Sequence, residues 1–250
     1  MTGVPGRPRW TPGERLVIGR RVAATHAAVP PGAPVVGVLA LQGDVLEHVQ
    51  ALTRVGARAV QVRTAADLAV VDALVLPGGE STTIGKLLER FEMLAPLRAR
   101  IATGLPVLAT CAGMILLSDE LDQPVDQPRI GGLHVRTRRN AFGRQRESFD
   151  TRIEVAGIAG GPVDVAFIRA PRVEAVLADD VEVLAEVEGH PVVVRQGDLL
   201  AAAFHPEVTG DDRLHAAFVA QVRALRDRPA DGGLDGAREA AVAGGRRDAG

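Results

Sequence analysis

Short apolar runs and helix-like segments alternate through the middle of the chain. Residues 35–41 (VVGVLAL) are typical of a buried strand, and residues 44–56 follow with apolar side chains at 45, 49, 52 and 55 and a closing glycine. The same signals recur along residues 57–62, 65–71, 73–77, 81–94, 106–110 and 112–121. This alternation predicts a single α/β domain, built on an open, mostly parallel sheet with helices on both faces.

Beyond Gly131 the pattern of apolar and polar residues changes, and it predicts short, closely spaced strands. A last helical pattern follows over about residues 212–226. The strand-like pieces are residues 152–157, 164–170, 181–189, 190–197 and 199–207. Hairpin-rich sequence of this kind predicts an antiparallel or mixed extension of the same sheet.

The two ends of the chain differ from its middle. Residues 1–33 carry the only tryptophan, Trp10, and prolines at 5, 8, 12, 30 and 31, without sustained periodicity. Residues 227–250 are rich in Gly, Ala, Asp and Arg, with too few large apolar residues to offset the entropy cost of ordering. The expected organisation is a poorly ordered N-terminal extension, one folded domain over residues 34–226, and a disordered tail.

Composition narrows the functional class. With 250 residues, of which 46% are hydrophobic, the chain can bury one sizeable core. A net charge of -2 gives no basic surface for nucleic acid or an anionic membrane. A single cysteine excludes an internal disulfide, no apolar stretch is long enough to span a bilayer, and the first ten residues do not resemble a secretory signal. These features favour a soluble cytoplasmic protein that acts on small polar substrates or protein partners.

The single cysteine, Cys111, stands where the predicted strand 106–110 meets a turn of small residues. Ligands of open α/β sheets lie beyond the carboxyl ends of the strands, and a tight strand-to-helix turn there resembles a nucleophile elbow. The N-terminus of the following helix would favour a thiolate. The alternative is a buried thiol that serves as a small core residue.

A candidate base and its carboxylate follow in the stretch AAAFHPE, as His205 and Glu207. Residues i and i+2 of an extended chain point the same way, and Pro206 opposes helical winding. A carboxylate beside an imidazole can fix its tautomer and stabilise its charge. The alternative is a solvated histidine at a strand end. His48 and His215 lie in helical patterns, which favours surface or packing roles for both.

The stretch LVLPGGESTT, residues 74–83, runs from a predicted strand through Pro-Gly-Gly into a helix start. Backbone N–H groups exposed at such a turn could bind an oxyanion or a carboxylate, although an ordinary turn before a capped helix would look the same. No dinucleotide or P-loop fingerprint follows, and no Cys/His cluster has metal-ligand spacing.

Six segments of the chain stand out in their order and spacing: GVLALQGDVLEHVQAL, LVLPGGESTTIGKLL, TCAG, RRNAFGRQRESF, FIRAP and AFHPE. Together they resemble the glutaminase subunits of two-component pyridoxal 5'-phosphate synthases, which are class I (triad) glutamine amidotransferases with a flavodoxin-like fold. The resemblance covers about residues 35–225.

The resemblance implies that Cys111 is the nucleophile, His205 the base and later proton donor, and Glu207 its orienting carboxylate. Cys111 would attack the side-chain amide of L-glutamine, giving a glutamyl thioester and ammonia. The resemblance also implies a set of glutamine-binding residues, of which the first three help to form the oxyanion site: Gly79, Glu80, Ser81, Arg139, Ile168 and Arg169.

The resemblance further implies a partner, a (β/α)8-barrel synthase subunit that receives the ammonia within a large hetero-oligomer and docks near Gln42, Gly43 and the glutamine pocket. No metal or bound organic cofactor is implied. Two alternatives stay open: a triad glutaminase that serves another synthase, such as that of imidazole glycerol phosphate, and a non-catalytic binding relative.

Overall fold

The computed structural model describes residues 29–123, 126–139, 141 and 148–228. The expected N-terminal extension and C-terminal tail therefore lie outside the described residues, apart from positions 29–33 and 227–228. Most of the segment RNAFGRQ, residues 139–145, lies outside them too.

Twelve strands are present in the described part of the chain. They are β1 (Val35–Leu39), β2 (Arg58–Val62), β3 (Ala73–Leu76), β4 (Val107–Thr110), β5 (Ser118–Leu121), β6 (Leu133–Arg138), β7 (Ser148–Ile153), β8 (Val163–Ile168), β9 (Arg172–Val176), β10 (Val181–Val187), β11 (His190–Gln196) and β12 (Leu199–Ala202). Seven of them form the central sheet, in the order β10-β11-β12-β4-β3-β1-β2. Neighbouring strands are parallel from β12 to β2, and β11 and β10 add an antiparallel edge. The predicted mixed, mostly parallel sheet is confirmed.

Helices cover both faces of this sheet, as predicted. They are α1 (Val45–Arg54), α2 (Ala65–Ala69), α3 (Ser81–Arg90), α4 (Leu94–Ala102), α5 (Ala112–Leu117) and α6 (Arg213–Arg226), with a 3-10 turn at Pro206–Val208. Right-handed crossovers between parallel strands place α1 on one face and α2 to α4 on the other. The helix contacts agree, since α6 packs beside α1 and α5 beside α3. No helix of the described segments is long and apolar enough to cross a membrane.

The predicted extension of the sheet beyond Gly131 is only partly right. Strands β10, β11 and β12 do extend the central sheet, but β5, β6 and β9 form a separate three-stranded sheet, and β7 and β8 form an antiparallel pair. The sequence patterns also do not predict β6 or β9. Buried and less buried residues alternate regularly along β6, but not along β9. Strand partners depend on tertiary packing, which a local pattern does not encode.

Two predicted helices end earlier than their periodicity suggests. The helix expected over residues 81–94 ends at Arg90, Glu92 adopts a φ of 55°, and a separate helix begins at Leu94. The helix expected over residues 112–121 ends at Leu117, because Ser118–Leu121 pairs with β6 as a strand. In both places tertiary contacts outweigh a continuous helical pattern.

The buried core supports one edge of the central sheet. Every residue of β3 and β4 is buried, as expected for central parallel strands covered on both faces. Four adjacent strands of the sheet, β12, β4, β3 and β1, end at the same edge. The residues that follow them are His205, Cys111, Gly78 and Asp44. This edge, with these four residues, is here called the rim. It is the expected place for a ligand in an open α/β sheet.

Candidate active site

Cys111 occupies a strained turn between β4 and α5. Its backbone has φ 44° and ψ -102°, a conformation that non-glycine residues rarely adopt away from functional sites. The turn is tightly packed, since a Cβ on Gly113 would lie 2.2 Å from the carbonyl oxygen of Leu76. The Cys111 side chain is buried, yet it lies close enough to the ring of His205 to raise the pKa of that imidazole. A thiol that only filled the core would need neither this backbone nor this partner.

His205 and Glu207 form the second and third parts of the site. Nδ1 of the His205 ring lies 2.7 Å from Oε1 of Glu207. The backbone N–H of His205 donates to the carbonyl oxygen of Ala166 on β8 at 2.8 Å. The expected extended geometry is wrong for Glu207, because a 3-10 turn begins at Pro206. The turn nevertheless brings the two side chains together, as the HPE motif predicts.

The surroundings of His205 favour its charged form. Burial alone would lower the pKa of His205, but hydrogen bonds to Asp44, Cys111 and Glu207 outweigh it and raise that pKa far above the ordinary value. Burial raises the pKa of Glu207, and the His205 hydrogen bond offsets part of this change. The neighbours of His205 therefore favour its imidazolium form.

Asp44 is a second carboxylate at the same ring nitrogen, and no sequence motif identified it. Its Oδ2 lies 3.2 Å from Nδ1 of His205, and 39% of its side chain is exposed. The available signal was its position, as a charged residue just after the carboxyl end of β1. Ligand atoms of Asp44, His205 and Glu207 all lie within 4.8 Å of one another, but their shared hydrogen bonds already account for this grouping.

Three of the predicted glutamine-binding residues lie together beside the rim. Nη2 of Arg139 is 2.9 Å from Oε1 of Glu80, and its Nη1 donates to Thr82 Oγ1 at 3.1 Å. The Glu80 carboxylate also caps α3, accepting the backbone N–H groups of Thr82 and Thr83. Ser81 is buried at the first position of that helix. This cluster therefore places the guanidinium of Arg139 beside the N-terminus of α3.

Gln127 joins this cluster and was not predicted from the sequence. Its Oε1 accepts hydrogen bonds from Ser81 Oγ at 3.2 Å, Thr82 Oγ1 at 3.0 Å and Arg139 Nη1 at 3.3 Å. The residue lies in a loop before β6, without a motif or periodic pattern that could have identified it. Its carboxamide fixes the positions of the side chains around Arg139.

The loops after β1 and β3 touch at the other predicted positions. Gln42 Oε1 accepts the Glu80 backbone N–H at 2.9 Å, beside Gly79, whose φ is 144°. Gly43 is so close to the Gly78 backbone that a Cβ would lie 1.8 Å from the carbonyl oxygen. Gly79 is thus placed at the rim.

Ile168 and Arg169 lie at the exposed end of β8. The same strand reaches the catalytic rim through the bridge between Ala166 and His205. Arg169 has a φ of 45°, so the chain turns sharply where β8 ends. The structure therefore places both residues at the strand end that borders the rim.

His48 and His215 are fully buried, which is compatible with packing but rules out the surface role. His48 Nδ1 lies 2.9 Å from His215 Nε2, and His48 Nε2 lies 3.1 Å from Thr110 Oγ1. The burial of His48 could have been inferred, because it shares a helix face with Ala51 and Leu52. Its contact with the site could not.

The arrangement can perform acyl transfer. A thiol lies beside an imidazole that is hydrogen-bonded to a carboxylate, all at one rim, and nucleophilic catalysis requires these three groups together. Backbone N–H groups of the neighbouring turns are available for a developing oxyanion.

Comparisons with known proteins agree with this chemistry. Residues 38–224 match the SNO glutamine amidotransferase family. The chain is 63% identical over 191 residues to the pyridoxal 5'-phosphate synthase subunit PdxT of Frankia casuarinae, covering 76% of this chain and 96% of that protein. It is 58% identical over 194 residues to PdxT of Streptomyces avermitilis, covering 77% and 96%. A crystal structure of a glutamine amidotransferase matches with a TM-score of 0.71 at 48% identity, covering 75% of this chain and 98% of that one.

Proposed function

The chain belongs to the SNO glutamine amidotransferase family, and on this premise we propose that it hydrolyses L-glutamine as the glutaminase subunit of a pyridoxal 5'-phosphate synthase. The products are L-glutamate and ammonia, and the ammonia is used to build pyridoxal 5'-phosphate. The observation that carries the proposal is the 2.7 Å hydrogen bond between His205 and Glu207, together with the position of Cys111 beside the His205 ring, whose pKa it raises.

Cys111 is the proposed nucleophile. An imidazolium beside a cysteine favours the thiolate, which is the reactive form. The thiolate attacks the side-chain amide carbon of glutamine, and the carbonyl oxygen takes the negative charge. Collapse of this intermediate breaks the C–N bond, because His205 gives its proton to the leaving nitrogen. The products of this half-reaction are ammonia and a glutamyl thioester.

His205 then works in the opposite direction. As a neutral imidazole it takes a proton from water, which attacks the thioester carbon and releases glutamate. The cysteine leaves as the thiolate, and the imidazolium is restored. Glu207 holds Nδ1 of His205 throughout, so that Nε2 is the ring nitrogen left for sulfur and substrate. Cys111, His205 and Glu207 thus have the roles of nucleophile, acid/base and orienting carboxylate in a catalytic triad.

The Glu80, Ser81 and Arg139 cluster is the proposed site for the amino-acid end of glutamine. The Arg139 guanidinium gives a forked donor for the substrate α-carboxylate, and Glu80 gives a carboxylate for its ammonium group. Ile168 and Arg169 would border the same pocket from the end of β8. Backbone N–H groups around Gly79 are the proposed oxyanion donors, at a turn held by Gln42.

The proposed partner is a synthase subunit with a (β/α)8 barrel, in a large hetero-oligomer. The relatives in Frankia and Streptomyces are named as subunits of a synthase, which supports a partner that consumes the ammonia. Docking is expected on the loop that contains Gln42 and Gly43, since this loop contacts the Gly78–Gly79 turn. The cytoplasmic location stays a prediction.

Mixing the chain with a candidate synthase subunit and glutamine tests this proposal. Glutamate release and pyridoxal 5'-phosphate formation are followed together, with ammonium salts replacing glutamine as a control. We expect both products to depend on the chain when glutamine is the nitrogen source. Glutamate release only with a different synthase would favour the alternative of another pathway, and no release with any synthase would favour a non-catalytic relative.

A further inference from the structure

Beneath the triad lies a buried pair of imidazoles that the mechanism above does not use. His48 of α1 and His215 of α6 are both 0% exposed. Nε2 of His48 is 3.5 Å from Oε2 of Glu207 and 3.1 Å from Oγ1 of Thr110, the residue that precedes the nucleophile. His48 therefore contacts two segments that carry catalytic groups.

Two atoms of this cluster lack a hydrogen-bond partner among the described residues. One is Oε2 of Glu207, and the other is Nδ1 of His215. A buried carboxylate oxygen without a donor is costly, so a nearby N–H should face it. The ring nitrogen of His48 is placed to do so, at the far side of the carboxylate from His205.

Their surroundings favour the neutral form of both imidazoles, in which each ring carries one proton. Burial, followed by the neighbouring His215 and His205, lowers the pKa of His48 well below its ordinary value. Burial lowers the pKa of His215 to about 4, with opposing smaller effects from Asp212 and Arg54. The proton can occupy either nitrogen of each ring, which leaves two arrangements along the 2.9 Å contact between them.

The two arrangements differ in what they leave unpaired. In the first, His215 Nε2–H donates to His48 Nδ1, and His48 Nε2–H points to Thr110 Oγ1 and Glu207 Oε2. Only an acceptor lone pair on His215 Nδ1 is then unpaired. In the second, His215 Nδ1 becomes a buried donor without a partner, and a lone pair of His48 faces the carboxylate. Buried unpaired donors are rarer than unpaired acceptors, so the first arrangement is favoured.

We propose that His48 is a positioning residue of the glutaminase. Its Nε2–H is shared between Thr110 and the outer oxygen of Glu207, which turns the inner oxygen toward Nδ1 of His205. His215 fixes the tautomer of His48 by donating to Nδ1. No proton moves through His48 during turnover. The inference rests on the proposed glutaminase function.

Two substitutions at His48 separate positioning from packing. Glutamine is long enough to place an amide N–H near the position of Nε2, whereas asparagine ends near the position of Nδ1. We expect His48→Asn to lower kcat about tenfold or more, the range for losing a hydrogen bond to a charged group, with little change in KM for glutamine. His48→Gln should restore most of kcat. His134→Asn, which changes an exposed histidine on β6, serves as the matched control.

The pH profile adds a readout that packing alone would not move. Without the donor from His48, the charged form of Glu207 is less stable, so the acid limb of kcat/KM should move to higher pH in His48→Asn. His205 and Asp44 face the same carboxylate region from the other side and are unchanged in this variant. Equal losses of kcat in folded His48→Asn and His48→Gln, with unshifted profiles, would overturn the proposal.

The wild-type protein gives an independent test if neither variant folds. Long-range proton–nitrogen NMR of the histidine rings reports which nitrogen carries the proton. We expect Nε2–H tautomers at both His48 and His215, and a proton on Nδ1 of His48 would refute the arrangement. A wild-type chain without glutaminase activity would count against the proposed function, whereas the tautomers would still decide the hydrogen-bond arrangement.

Discussion

Nδ1 of His205 is held between two carboxylates, with Oε1 of Glu207 at 2.7 Å and Oδ2 of Asp44 at 3.2 Å. Glu207 is buried, whereas Asp44 is partly exposed on the loop where the synthase is expected to dock. The charged form of His205 is therefore stabilised by the buried carboxylate of Glu207 and by the carboxylate of Asp44, which a partner could reach.

Asp44→Asn should narrow the pH range of activity from its alkaline side. Asp44 raises the pKa of His205, so removing its charge lowers that pKa, and the imidazolium is lost at a lower pH. The alkaline limb of kcat/KM should shift to lower pH, measured as glutamate release with the synthase present. Glu47→Gln, an exposed acid of α1, is the matched control and should leave the profile unchanged. An unshifted alkaline limb in Asp44→Asn would show that this carboxylate does not act on His205.

Glu207→Gln should reduce kcat less than His205→Asn does. Loss of the proton-transfer group itself is expected to cost about 10²- to 10⁴-fold, whereas glutamine can still accept from Nδ1 without supplying charge. The comparison requires steady-state glutamate release by both variants with saturating synthase. A Glu207→Gln variant as active as the wild type would argue that Asp44 alone can orient the ring.

Gly78→Ala should impair catalysis while the fold is kept. A Cβ at this position would lie 2.2 Å from Cε1 of His205 and 3.1 Å from Oδ2 of Asp44, so the imidazole would have to move. Thermal unfolding should change little compared with activity, because the clash is with side chains at the rim. Full activity in this variant would mean that the His205 position seen here is not the catalytic one.

Arg139→Lys should raise KM for glutamine by roughly tenfold or more, because lysine cannot provide the forked donor to a carboxylate. The value of kcat at saturating glutamine should change less. Arg136→Lys, on β6 just before Arg139 and paired with Glu120 at the surface, is the matched control. An unchanged KM would place the substrate carboxylate elsewhere.

Local sequence patterns predicted the parallel half of the sheet well, because buried central strands and amphipathic helices have strong periodicities. The same patterns predicted the turn at Cys111 and the pairing of His205 with Glu207, since both depend on residues close in the chain. Asp44, His48 and Gln127 could not be assigned in this way. Each acquires its role from a contact across more than 40 residues, to His205, His215 and Ser81 respectively. Separate pairing of β5, β6 and β9 was missed for the same reason.

The nucleophile assignment is tested most directly by looking for the glutamyl group on the protein. The chain is mixed with its synthase and glutamine, quenched in acid, digested and analysed by mass spectrometry, in parallel with glutamate release by Cys111→Ala. We expect a glutamyl adduct on the peptide that contains Cys111, and no measurable hydrolysis in the folded alanine variant. Hydrolysis by Cys111→Ala at a near wild-type rate, or an adduct on another residue, would contradict it.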